Sequence, residues 1–160
     1  MAARPLDAQE SRAWRGFHQM RAELGAYLAQ QLGRQSGLTE ADYAVLVALS
    51  EAPCRRMRAR DLGRRLGWER SRLSHQVDRM QARGTVERTA CESDARGFDV
   101  VLTEAGFSAI ESAAPQHLEV VRHCFADVLT PEQLKALGDI AETIVRHLAA
   151  EHADDLGDCR

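Results

Sequence analysis

The chain contains 160 residues with a mass of 17.8 kDa, of which 44% are apolar and 28% are charged, which suits one domain or two small modules sharing a core. No apolar run approaches the ~20 residues of a membrane span, and the first residues lack the apolar segment of a signal peptide. We therefore expect a cytoplasmic protein that does not contact a membrane. The four cysteines lie 37, 33 and 35 residues apart, a spacing that suggests neither a zinc knuckle nor a disulfide framework.

The net charge of -3 conceals an uneven distribution along the chain. Residues 55–96 contain twelve arginines and six acidic residues, a local charge of +6, whereas the remaining residues carry -9. A basic middle on an acidic body is typical of a module that binds a polyanion such as nucleic acid. Charge alone leaves open the alternative of an arginine-rich, solvated surface that binds nothing.

Two helices are predicted at the N-terminus. Residues 8–34 place apolar side chains at steps of three and four, the period of one helix face: Trp14, Phe17, Met20, Leu24, Tyr27, Leu28 and Leu32. Gly33 and Gly37 predict the end of this helix. Thr39–Asp42 has the form of a capping box and begins a second helix, which Pro53 ends.

Two short helices and a hairpin are predicted next. Residues 59–66 and 70–83 both follow the helical period, and Gly67 between them suits a left-handed cap. From residue 85 the pattern changes to that of strands, over 85–89 and 98–102, with a polar, turn-forming segment between them. The middle of the chain therefore predicts a helix-turn-helix followed by a β-hairpin with a charged tip, the arrangement of a winged helix.

Two further helices complete the chain. Thr103 caps a helix in which Pro115 removes one backbone hydrogen bond and is expected to cause a bend. Thr130–Gln133 is a strong start signal for the last helix, and the acidic tail after about residue 151 is expected to fray. The predicted fold class is mainly α: a winged helix-turn-helix with long N- and C-terminal dimerisation helices and one β-hairpin wing.

The second helix of the pair has the chemistry of a DNA-recognition helix. Leu73, Val77 and Met80 share its inner face, which leaves basic and polar side chains on the other faces. Arginine can bridge guanine O6 and N7, glutamine can bridge adenine N6 and N7, and serine hydroxyls can hold phosphates. Arg96, at the hairpin tip, is expected in a minor groove, where negative potential favours a guanidinium. In the helix we expect DNA contacts from Arg70, Ser71, Arg72, Ser74, His75, Gln76 and Arg79.

Several stretches of this segment resemble the MarR family of winged-helix transcription regulators. They are Ala59–Gly67, Ser71–Ser74, Val77–Met80, Arg83-Gly84, the wing motif Asp94-Ala-Arg96 and the motif Val101-Leu-Thr-Glu-Ala-Gly106. The wing motif that runs into L-T-x-x-G is the most specific of them. The resemblance covers almost the whole chain, because the long first helix and the paired terminal helices also match in order and length.

The resemblance implies a homodimer whose first, fifth and sixth helices interlock, and a short pseudo-palindromic operator in double-stranded DNA. It implies a regulator, most often a repressor, that a small molecule or an oxidant releases from DNA. It assigns Arg96 to the minor groove and makes Asp94 the residue that positions the wing. It places the recognition-helix contacts at Ser71, Arg72, Ser74, His75, Gln76 and Arg79. Apolar stripes on the first and last helices support a dimer independently, because a small winged module cannot cover both. The predicted dimerisation helices are 1–36 and 115–160, and the predicted DNA-binding domain is 37–114.

A candidate effector site involves the first two helices. Trp14 and His18 lie one turn apart on the first helix, and Tyr43 lies on the second. An aromatic wall with an imidazole suits a small aromatic or phenolic effector, and members of the family often hold such ligands where these helices approach the wing domain. Ordinary core packing with one satisfied histidine explains the same residues and is the preferred interpretation.

Other functions have less support. A redox-responsive regulator acting through Cys91, which lies between Arg88 and Arg96, is one alternative. A winged-helix module that binds protein, without sequence-specific DNA binding, is another. The histidines and the cysteine of residues 117–124 lie six and seven apart, whereas helical ligand pairs prefer three or four, so we predict no metal and no cofactor. The chain has no G-x-S-x-G, Walker, G-x-G-x-x-G or H-E-x-x-H motif, so we do not expect an enzyme.

Overall fold

The computed structural model describes residues 4–90 and 97–157, with side chains described as far as Glu151. Short 3-10 turns occupy Pro53–Arg55 and Ala126–Val128. The mainly helical fold with a small antiparallel sheet confirms the predicted fold class. In chain order the elements are α1 (Ala8–Ser36), α2 (Glu40–Ser50), β1 (Arg56–Arg58), α3 (Ala59–Leu66), α4 (Arg70–Ala82), β2 (Val86–Ala90), β3 (Phe98–Leu102), α5 (Glu104–Cys124) and α6 (Pro131–Gly157).

The chain forms two compact units, Met1–Val120 and Val121–Arg160. The first contains α1 to β3 and most of α5, and the second contains α6. Among the described residues, none of the helices combines the length and the apolar character that crossing a lipid bilayer requires.

Side-chain caps begin α1, α2 and α6, and the sequence predicts the caps of α2 and α6. In α1 the backbone N–H of Glu10 donates to the carboxylate of Asp7 at 2.8 Å, and the Glu10 side chain accepts from the N–H of Asp7 at 2.8 Å. The same reciprocal pairing joins Thr39 with Asp42 at the start of α2, and Thr130 with Gln133 at the start of α6. The end of α1 lies at Gly37, in the left-handed region at φ 70°, so the helix continues through Gly33.

The sheet has the strand order β1-β3-β2, with both pairs antiparallel. β2 and β3 form the predicted hairpin, in which Val86 pairs with Leu102 and Ala90 with Phe98. β1 is absent from the sequence prediction because three residues are too few to show an alternating pattern. Its place depends on a partner far along the chain, since Met57 pairs with Val100.

One apolar core holds the winged helix-turn-helix together. It receives side chains from α2, α3, α4, the hairpin and the start of α5, and these are at most 5% exposed. Burying an aliphatic side chain of this size contributes about 1.5–3 kcal/mol, so the cluster fixes each helix by its inner face. Its members include Leu46, Leu49, Leu62, Leu73, Val77, Met80, Val86, Val100, Leu102 and Ile110.

The L-T-x-x-G motif joins the wing to α5. The hydroxyl of Thr103 donates to the carbonyl of Gly84 at 2.7 Å and accepts from the backbone N–H of Gly106 at 3.0 Å. The first turn of α5 therefore lies directly on the chain segment that enters β2. The approach is so close that a Cβ at Gly106 would lie 2.1 Å from the carbonyl oxygen of Thr85. Only glycine fits there.

Replacing Gly106 with alanine tests this close approach. We expect Gly106→Ala to lower the free energy of unfolding by about 1–3 kcal/mol, because either α5 or β2 must move to admit the methyl group. Urea denaturation followed by circular dichroism measures the change.

A matched control is Gly16→Ala in α1, where an added Cβ meets nothing within 4 Å. There we expect a gain of about 0.5–1 kcal/mol from helix propensity alone. Equal unfolding free energies for the Gly106→Ala and Gly16→Ala proteins would contradict the assignment.

Candidate nucleic-acid interface

A tight turn sets α4 against α3. Gly67 ends α3 in the left-handed region at φ 64°, and the backbone N–H of Trp68 donates back to the carbonyl of Gly63 at 2.9 Å. A Cβ at Gly63 would lie 3.2 Å from the carbonyl oxygen of Trp68, so a small residue suits this position. The turn then leads into α4 through Glu69, the N-cap residue.

The N-terminus of α4 keeps its backbone donors free of side-chain caps. Glu69 makes no side-chain cap hydrogen bond, and the first turn of α4 contains no acidic residue. The first N–H groups of a helix carry a partial positive charge and bind phosphate oxygens readily. The acidic Glu69 therefore does not occupy the place that a phosphate would take.

The outward face of α4 is basic and polar, as the sequence predicts for most of its residues. The inner face carries the buried side chains Leu73, Val77 and Met80. Ser74, a predicted contact, is only half-buried. The predicted contact residues that are exposed are Arg70, Ser71, Arg72, His75 and Arg79.

Gln76 differs from the sequence prediction. It was expected on an outward face, yet it is only 2% exposed. Its side-chain amide donates to Asp42 at 2.6 Å and accepts from Arg79, so it has no group left at the surface to meet a base. The spacing contained the signal, because Gln76 lies three residues after Leu73 and four before Met80, both on the inner face.

Asp42 receives this buried contact from α4. It is 1% exposed and also pairs with Arg83 at the end of α4. Burial alone would raise the pKa of Asp42, but hydrogen bonds from Arg83 and Thr39 and the charge of Arg83 outweigh it and hold the pKa below its usual value. The carboxylate is therefore ionised at neutral pH. Sequence reasoning found Asp42 as a capping residue and missed its long-range partners.

Arg88 of β2 fastens the wing to α4. Its guanidinium donates to the carbonyl and hydroxyl oxygens of Ser74 at 3.0 and 3.2 Å, and it pairs with Asp78 at 2.7 Å. It also lies over the ring of Phe98, 4.4 Å from the centroid. Ser74, a predicted DNA contact, thus already serves as an acceptor for Arg88. The hairpin and α4 are held as one piece.

Trp68 positions an exposed arginine of α4. The guanidinium carbon of Arg72 lies 4.4 Å from the centre of the Trp68 ring, which restricts the side chain by a cation–π contact. Beside it opens a cleft of about 440 Å³ whose lining includes three arginines. The charged and aromatic residues around this cleft are Arg58, Arg60, Arg70, Trp68 and Phe98.

The hairpin tip lies outside the described residues. This applies to Asp94 and Arg96, the predicted wing contacts, and to Cys91, the residue of the redox alternative. Their roles stay predictions. The strands on either side of the tip are described, and the last pair of their register joins Ala90 with Phe98.

The predicted effector residues fall into two separate aromatic contacts. Trp14 packs on His18, with ring centroids 4.2 Å apart, on the exposed face of α1. Tyr43 instead packs on His117 of α5 at 4.4 Å, a partner that the sequence did not suggest. Burial raises the pKa of Tyr43, and burial lowers the pKa of His117 against a smaller opposing effect of Glu40. Among the described residues, no ring contact joins Trp14 or His18 to Tyr43.

The chain is similar to known MarR family proteins in both sequence and structure. The MarR family model matches residues 36–97. AbsC, a MarR family transcriptional regulator from Streptomyces coelicolor, is 40% identical over 92% of this chain and 99% of its own, with a TM-score of 0.86. A second MarR family transcriptional regulator from the same organism, solved in complex with DNA, is 39% identical over 91% of this chain and 92% of its own, with a TM-score of 0.87.

A more distant structure has the same fold. A transcriptional regulator from M. tuberculosis, solved in complex with DNA, is 25% identical over 86% of this chain and 97% of its own, with a TM-score of 0.70. The comparison with curated proteins found no match. Identity of 40% along nearly the full length of AbsC, together with the winged helix-turn-helix and its L-T-x-x-G junction, identifies the family. The chain belongs to the MarR family of transcriptional regulators.

Proposed function

We propose that this protein is a homodimeric repressor that binds a pseudo-palindromic operator in double-stranded DNA, and that a small molecule releases it. The observation that carries the proposal is the exposed basic face of α4, fixed from behind by the core and from the side by Arg88. The relative that is 39% identical and was solved with DNA supports it.

The outward side chains of α4 suit a major groove. Arg72 and Arg79 can each make a bidentate contact with guanine, and His75 lies between them on the same exposed side. Ser71 and the uncapped N-terminus of α4 suit a phosphate, which would set the depth of the helix in the groove. We assign Arg96 to the adjacent minor groove and Asp94 to positioning the wing, as the family motif implies. Gln76 is left out of the contact set because it is buried.

Exposed apolar side chains on α1 and on α6 support the proposed dimer. On α1, Trp14 is 56% exposed and Phe17 is 48% exposed, although both are large and apolar. On α6, Ile140, Ile144 and Leu148 form an exposed stripe at helical spacing. Apolar faces of this length favour burial against a second copy, and a two-fold dimer matches the symmetry of a pseudo-palindromic operator.

The effector part of the proposal concerns Tyr43 and His117. Their contact offers a phenol and, because burial lowers the pKa of His117, an uncharged imidazole at neutral pH. Such a pair suits a small aromatic or phenolic ligand. Trp14 and His18 lie on the apolar surface of α1 that we assign to the dimer.

The alternative of a protein-binding module has less support from α4. All residues of α4 are described, and none of its exposed side chains is a large apolar one. Protein interfaces usually contain apolar or aromatic anchors at their centre. An exposed face of arginine, serine and histidine is better suited to phosphates and base edges.

Arg72→Ala tests DNA reading by α4. We expect operator affinity to fall by about 1–3 kcal/mol, because the variant loses a contact to a base edge. Binding is measured at about 150 mM salt on DNA from the protein's own promoter, after footprinting has located half-sites about 10 bp apart. Arg12→Ala on α1 removes the same charge from an exposed site and should leave affinity unchanged. Equal affinity of the unaltered protein for its promoter and for random DNA would refute the proposal.

Ile144→Glu tests the dimer. A glutamate inside an apolar interface loses its hydration without gaining a partner, so we expect the variant to sediment as a monomer of 17.8 kDa. Glu142→Gln, on the same helix, serves as the control and should leave the dimer intact. A wild-type protein that sediments as a monomer at micromolar concentration would rule out this part of the proposal.

A further inference from the structure

A buried polar network connects α2 with the recognition helix α4. Asp42 of α2 and Gln76 of α4 are 1% and 2% exposed, and they are the two buried polar or charged side chains of the described residues. A buried polar group without a partner is costly, so the hydrogen bonds of each side chain constrain it strongly. Arg79, on the outward face of α4, donates to Gln76, and Gln76 donates in turn to Asp42 of α2.

Asp42 is held from three sides. Its Oδ2 accepts from the backbone N–H and the hydroxyl of Thr39, at 2.9 and 2.7 Å. The guanidinium of Arg83 donates to both carboxylate oxygens, from Nη1 to Oδ2 at 3.1 Å and from Nη2 to Oδ1. The remaining contact is the amide of Gln76, whose Nε2 donates to Oδ1 at 2.6 Å. The carboxylate therefore has a fixed place and orientation.

This carboxylate determines which way the Gln76 amide faces. An ionised carboxylate only accepts hydrogen bonds, so the amide must turn its NH₂ group towards Asp42. The amide oxygen then faces the opposite way, where it accepts from Nη2 of Arg79 at 2.5 Å. A reversed amide would place two oxygens against each other at Asp42 and two sets of donors against each other at Arg79.

Asp42, Gln76 and Arg79 form a hydrogen-bonded series, which we call the relay, and Arg79 is its end at the surface. Its side chain is exposed, and it makes no ion pair with any acidic residue of the described part of the chain. One N–H of the guanidinium is bound to Gln76, which restricts the orientation of the group and leaves its other donors available. A long side chain fixed in this way loses less entropy when it binds.

On the basis of the proposed DNA-binding function, we propose that Asp42 is a positioning residue for operator recognition: through the amide of Gln76 it orients the guanidinium of Arg79 towards a base edge. Asp42 itself does not touch DNA. It acts by limiting the orientations of Arg79 before the complex forms. The substitution of either relay residue should therefore weaken discrimination of the operator and have little effect on random DNA.

A double-mutant cycle tests the relay. Asp42→Asn, Arg79→Ala and the double variant are compared by the ratio of affinities for the operator and for random DNA of equal length. We expect Asp42→Asn to lower this ratio about 3- to 10-fold, the cost of ordering one long side chain on binding. In the Arg79→Ala background the same substitution should change the ratio by less than about twofold, because the group it orients is gone.

Two further variants accompany the cycle. Glu40→Gln neutralises an exposed acid on the same turn of α2 and should leave the ratio unchanged. Gln76→Met interrupts the relay but keeps the contacts of Asp42 with Arg83 and Thr39, and it should reproduce the Asp42→Asn effect and its dependence on Arg79. If Asp42→Asn does not fold, as judged by thermal unfolding, the Gln76→Met cycle decides the question.

A failure of the relay and a failure of the proposed function give different results in these experiments. An effect of Asp42→Asn or Gln76→Met that persists undiminished in the Arg79→Ala background would show a merely structural role and overturn the inference. So would an Arg79→Ala protein with an unchanged ratio. A wild-type protein without preference for the operator would instead refute the proposed function, and the inference with it.

Discussion

The site depends on the amphipathic character of α4, in which an apolar inner face lies opposite a basic outer face. Leu73, Val77 and Met80 are at most 3% exposed, and burying each contributes about 1.5–3 kcal/mol. A rotation of the helix by one residue would turn these side chains by about 100° and expose them. The apolar face therefore sets the direction of the opposite face. Because the apolar side chains of α4 must face the core, Arg72, His75 and Arg79 on the opposite side point outward.

A recognition helix also needs a fixed distance to its wing. Arg88 supplies one connection, from β2 to Ser74 and Asp78 of α4. The packing of Gly106 on the carbonyl of Thr85 supplies another, because it joins the start of α5 to the segment entering β2. Both contacts lie within the winged helix-turn-helix and join the hairpin to its helices. They explain how a short hairpin and a helix of thirteen residues can act as one body.

The buried polar pair of Asp42 and Gln76 differs in kind from this apolar core. Apolar burial fixes where α4 lies, but it does not choose among the orientations of a long surface side chain. Hydrogen bonds have direction, so an ionised carboxylate can select one orientation of an amide, and the amide one orientation of Arg79. A buried polar network whose members are all satisfied rigidifies its surroundings and specifies one arrangement of the side chains.

Local signals in the sequence determined the helices, the hairpin and the caps. The bounds of α3 and β3 match the predicted 59–66 and 98–102, because periodicity, a left-handed glycine and turn residues act over a few positions. The basic segment and the L-T-x-x-G motif were likewise identified from the sequence alone. Only the tertiary structure decided that β1 joins the sheet, that Gln76 faces Asp42, and that Tyr43 meets His117 rather than Trp14. These contacts join residues 34 or more positions apart, and no local period encodes which distant partner a side chain will meet.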